Sequence, residues 1–165
     1  MKTKTRAAML VTALMTLSGC SGHDMSFSET QDYFATRQPD LQGLMAMVEK
    51  CQPFRTDAPG YSMIRLSDGP GKDPVCVPGR SVDMAAIKSA MRKANLVMLN
   101  PTVSPIGQTI REEFIFYGEG LGVSGGGTMI YYSAAETDAD HVILSRDQEV
   151  RALDDAPHHW FWIKT

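Results

Sequence analysis

The spacing of apolar residues changes once along this chain, near Asn95, and that change limits the fold more than any single motif. Ahead of it, Leu41, Leu44, Met45, Val48 and Cys51 recur at helical intervals, and Met84, Ile87, Met91 and Ala94 form a second stripe. Ser28 with Gln31 predicts a capping box for a first helical piece carrying Tyr33 and Phe34, which Pro39 is expected to interrupt. Pro39 and Asp40 then suit the opening turn of the next piece. Ser81 is expected to cap the later helix, whose polar side holds Lys88, Arg92 and Lys93. Methionines on these stripes read as core filling, since an unbranched thioether packs irregular gaps.

Beyond Asn95, short apolar and aromatic runs are broken by Gly, Pro, Asn and Asp, the pattern of antiparallel strands. Candidate strands are Leu96 to Leu99, Ile110 to Tyr117, Thr128 to Ser133, His141 to Leu144 and His159 to Ile163. In the second, Phe114 and Phe116 alternate with Ile115 and Tyr117, which predicts a central strand covered on both faces. Glycines from Gly118 to Gly127 predict a long hairpin connection to the third. Helices first and strands afterwards define an α+β class, with N-terminal helices packed on a C-terminal antiparallel sheet of about four or five strands.

The start of the chain has a different character. Lys2, Lys4 and Arg6 precede an apolar stretch from Ala7 to Leu17, the layout of an export signal, and that stretch is too short to span a bilayer. Leu17-Ser18-Gly19-Cys20 closes it and resembles the lipobox of bacterial lipoproteins. The resemblance implies cleavage after Gly19, so that residues 1–19 are a signal peptide, 20–28 a lipidated tether and 29–165 a single domain. It also implies a diacylglyceryl group on the Cys20 thiol and further acylation, typically palmitate, of the new amino terminus. Each buried methylene adds roughly 0.8 kcal/mol of membrane affinity, so two or three such chains hold a protein at a bilayer permanently. Ser21, where lipoproteins retained at the inner membrane carry Asp, implies the outer membrane, and the domain is expected on its periplasmic face.

Assigning Cys20 to lipid leaves Cys51 and Cys76, which in an oxidising compartment are expected to form one disulfide across a loop rich in Pro and Gly. A redox-active or metal-binding pair is less well supported, since neither Cys-x-x-Cys spacing nor a nearby His accompanies them. Loss of residues 1–19 removes three positive charges and no negative ones, taking the formal net charge from −3 to −6. An acidic domain argues against nucleic acid as a partner, because phosphates reward a basic face.

Three motifs invite chemistry. Gly122-Val123-Ser124-Gly125-Gly126 matches the Gly-x-Ser-x-Gly nucleophile elbow, but an elbow leads into a helix and here a strand is expected to follow. His158-His159 lies beside Trp160 and Trp162, yet neighbouring strand residues face opposite sides and cannot readily share one ion. The strand here reads as a half-buried edge with Trp160 and Trp162 on one face and Phe161 and Ile163 on the other. Between Glu136 and Asp155, seven acidic residues outweigh Arg146 and Arg151 without the register of an EF-hand, so solvated loops that attract a basic partner are expected. Arg111, Glu112 and Glu113 read as ordinary charges at the start of a strand. No residue is assigned to catalysis, to a cofactor or to a metal.

Gly120-Leu121-Gly122-Val123-Ser124-Gly125 running into Ile130-Tyr131-Tyr132, and the closing Trp160-Phe161-Trp162, resemble a scattered group of small uncharacterised bacterial exported proteins. That resemblance covers residues 33–51 and 118–163; it implies the α+β layout and predicts no site. The expected role is a lipid-anchored, periplasm-facing, non-enzymatic protein-binding domain of the inhibitor or immunity type, with another envelope protein as its partner. An envelope hydrolase using Ser124 or His158, or a structural or assembly accessory of the outer membrane, are the alternatives.

Overall fold

The computed structural model describes residues 24–57, 62–104, 106–118, 127–139, 142, 148–155 and 157–165. Helix α1 (Phe27–Cys51) opens at Ser26, whose hydroxyl accepts from the Glu29 amide while the Glu29 carboxylate accepts from the Ser26 amide at 2.8 Å. The capping box is thus Ser26 with Glu29, two residues before the expected pair. Pro39 does not end the helix: it lies inside it. An internal proline costs about 3 kcal/mol. Buried Thr30, Phe34, Leu41, Leu44, Val48 and Cys51, on both sides of it, form one continuous stripe against the sheet that offsets this cost. Helix α2 (Met84–Lys93) begins at Asp83, whose carboxylate accepts from the Ala86 amide at 2.7 Å, rather than at Ser81.

Among the described residues, six strands form one antiparallel sheet: β1 (Ile64–Arg65), β2 (Met98–Val103), β3 (Thr109–Gly118), β4 (Gly127–Ser133), β5 (Glu149–Ala152) and β6 (Trp160–Lys164). Their order is β1-β2-β3-β4-β6-β5, so β3 is internal as its alternation predicts. The strand count is six where four or five were expected. Two elements account for the difference. β1 is too short to carry a period, and β5 lies in the acidic segment read as loop. Of the expected strand from His141 to Leu144, only Val142 is among the described residues; it is buried and packs with Tyr131, Phe161 and Ile163.

Two rows of paired residues explain how the sheet is covered. On the helix side, Ile64, Leu99, Phe114, Ile130, Trp162 and Arg151 stand opposite one another across all six strands. This face of the sheet meets α1, where Phe34 packs on Trp160 at 5.3 Å between ring centres, Tyr33 on Phe116 at 4.8 Å and Phe27 on Trp162 at 5.6 Å, and Ile87 and Met91 of α2 join the same core. On the far side, Met98, Ile115, Met129, Ile163 and Val150 form a second row over five strands. β6 is therefore not a half-buried edge: Trp160, Phe161, Trp162 and Ile163 are all buried, Trp160 toward the helices and Phe161 and Ile163 in the far-side cluster. β5 covers its outer flank.

Cys51, the last residue of α1, is bonded to Cys76. The same junction is pinned by backbone contacts, with Val77 N–H donating to the Cys51 carbonyl at 2.9 Å and Phe54 and Val75 exchanging bonds as an isolated bridge. Gln52 caps the helix in the left-handed region at φ 48°, and its side chain lies against Gly107, where any Cβ would overlap the amide; Gly107 itself sits at φ +87°. Lys88 corrects another expectation. It is buried, its ammonium 2.5 Å from the Asp73 carboxylate and 2.6 Å from the Asp68 carbonyl, tying the loop after β1 to α2.

Candidate functional site

Glu112 is the least expected group in the core. It shares the helix side of β3 with Phe114 and Phe116, between Pro101 of β2 and Tyr132 of β4, and is fully buried. Neither carboxyl oxygen has a hydrogen-bond partner. One extra residue, Ile110, is inserted opposite the Thr102/Val103 step of β2, and this bulge pairs Thr109 with Val103, which packs in the same core. The Thr109 amide donates to Glu49 of α1 at 2.7 Å, while the Thr109 hydroxyl is buried without a partner. Burial first, then the nearby charges of Glu113 and Glu49, hold the Glu112 carboxyl well above its ordinary value of 4.5. With no exposed surface it cannot meet a substrate from solvent. Burial favours its neutral form and couples it to stability rather than to chemistry at the surface.

Among the described residues, those singled out for chemistry are not assembled into a catalytic set. Ser124 and Cys20 lie outside the described residues. The glycine-rich connection expected between Gly118 and Gly127 lies, apart from its two end residues, outside the described residues as well; on either side of it β3 and β4 pair directly, and the element that follows is strand β4, where a nucleophile elbow leads into a helix. His158 Nδ1 lies 2.6 Å from the Asp154 carbonyl and His159 Nδ1 lies 3.0 Å from the Ser133 carbonyl, so one nitrogen of each ring is engaged by a backbone carbonyl of the fold. Asp154 accepts from the amides of His159 and Trp160, closing the β5–β6 turn. Among the described residues no group of three or more His, Cys, Asp and Glu side chains is placed to hold a metal ion.

Among the described residues, two open surfaces bear on function. A cleft of about 710 Å³ lies between α2 and the disulfide-fastened loop, but its lining is largely engaged in holding that loop. Lys88 binds Asp73, Arg80 donates to Gln52 at 2.6 Å, and Asp83 caps α2. The second surface is the outer edge of β5. Leu153 N–H donates to the Trp160 carbonyl at 2.9 Å, which fixes the ladder: Glu149, Arg151 and Leu153 bond toward β6. The N–H and C=O of Val150 and Ala152 therefore point away from the sheet, and among the described residues nothing pairs with them. Glu149 and Arg151 form an ion pair on the helix side, with the guanidinium 4.9 Å from the centre of the Phe27 ring. The acidic segment is thus less free than its composition suggests, since Glu149 and Asp154 are both engaged within the fold.

The fold and this edge define an α+β domain with an open antiparallel sheet margin and, among its described residues, no catalytic constellation. No family model matches the chain, and no curated protein or solved structure is significantly similar to it.

Proposed function

We propose that this chain is a lipid-anchored protein-binding domain of the bacterial envelope, held at a membrane by acylated Cys20 and non-enzymatic in its action. The outward backbone groups of Val150 and Ala152, unpaired among the described residues, carry the reading. An exposed strand edge accepts an extended segment of another chain through main-chain hydrogen bonds, with alternate side chains supplying specificity. The opposite margin is poorly suited to this, because β1 is only two residues long. The lipobox-like segment and the acidic balance of the remainder support a place in the envelope and a protein rather than nucleic acid as the bound molecule.

A photo-crosslinking residue at Glu149 in the full-length protein, expressed in a bacterial envelope, should give discrete adducts. The same residue at Arg92, on the exposed side of α2, should give none. Equal labelling from both positions, or none from Glu149, would contradict binding at the edge.

A further inference from the structure

The far-side apolar row runs Met98, Ile115, Met129, Ile163, Val150 and stops at the open margin with Val150 only half-buried. Beside Val150 stand one acid and one base, Glu149 and Arg151, symmetrically placed at one residue before and one after. We propose, building on the edge-binding reading, that the segment received by β5 is β5 of a second copy of this chain, in an antiparallel pairing centred on Val150.

That register follows from the geometry. An antiparallel strand related by a twofold axis through Val150 places Val150 opposite its own copy, and Val150 is one of the residues whose N–H and C=O point outward, so the central pair exchanges two hydrogen bonds. The same register sets Glu149 opposite Arg151 of the copy, and Arg151 opposite Glu149. These are non-hydrogen-bonded positions across the new interface, where side chains approach most closely and opposite charges favour pairing. Shifting the centre to Arg151 would set like charges opposite each other and is disfavoured. On the far face, Val150 meeting Val150 joins the two apolar rows into one that crosses both sheets. Charge, backbone hydrogen bonding and apolar continuity thus select a single alignment.

Sedimentation of the full-length protein over a concentration series tests this. Wild type is expected to shift from monomer to dimer. Val150→Pro removes an outward N–H that the β6 ladder does not use, at an edge position where proline is tolerated, and should remain monomeric with an unchanged circular dichroism spectrum. Glu149→Arg should also weaken the dimer by placing two arginines opposite each other, and the exchange Glu149→Arg with Arg151→Glu should restore it. A wild type that stays monomeric throughout, or a Val150→Pro or Glu149→Arg variant that dimerises as well as wild type, would overturn the proposal. Failure here is separable from failure of edge binding itself. If the crosslinked product at Glu149 has the mass of a complex with a different protein, the edge binds but the second copy is not its occupant.

Discussion

Raising the pH from about 5 is expected to destabilise the wild-type fold relative to Glu112→Gln by up to about 1.4 kcal/mol per pH unit. The sign follows from where the proton sits. In the unfolded chain Glu112 ionises near its ordinary 4.5, whereas in the fold burial keeps it protonated to a much higher pH. Across that interval the native state binds one more proton than the unfolded state, so stability falls as pH rises and levels off only above the folded pKa. The amide that replaces the carboxyl in Glu112→Gln has the shape of the neutral acid and no proton to lose. The two proteins should therefore have similar urea midpoints in mild acid and diverge upward in pH, with the variant the more stable. Parallel midpoints across that range would show that Glu112 is not held neutral in the core.

Replacing both Cys51 and Cys76 with Ala should cost about 3 kcal/mol, from a closed loop whose ends are 25 residues apart. For a domain of this size that lowers the melting temperature by roughly ten degrees. Cys51 is fully buried at the end of α1, and the bond fastens it to the segment that is otherwise held by the Val77 and Phe54 backbone contacts and by Lys88. Reductant should reproduce most of the effect in wild type and none in the double variant. If reduction leaves the melting temperature unmoved, the backbone contacts at Val77 and Phe54 suffice and the bond is incidental to stability.

How much of this was visible in the residues depends on which force decided each feature. The class and the central β3 followed from period alone, because Phe114, Phe116 and Ile115 are apolar on both faces and every one is buried. The Trp160-Phe161-Trp162-Ile163 alternation likewise divided between the two faces as expected. Local rules failed where tertiary burial overrode them: Pro39 is carried inside α1 by the stripe on either side of it, and Lys88 is drawn inward by Asp73 and the Asp68 carbonyl. Glu112 obeyed the period that its residue type concealed. It stands two and four residues before Phe114 and Phe116 on the same strand, yet a carboxylate is so seldom fully buried that composition outweighed position. β5 was hidden in the same way, its strict polar-apolar alternation of Glu149, Val150, Arg151 and Ala152 masked by the acidic residues around it. With β5 unrecognised, the open edge could not be anticipated, and the acidic charge attracted attention that belonged to the backbone.

The edge is tested most directly by residue-resolved amide hydrogen exchange on the full-length protein, from dilute solution to the concentration at which it associates. Glu149, Arg151 and Leu153 amides bond to β6 and should be protected throughout. The amides of Val150 and Ala152 should exchange freely when dilute and become protected on association, as an added strand takes up their outward N–H groups. Val150 and Ala152 amides that exchange equally fast in the associated state would contradict strand addition at β5.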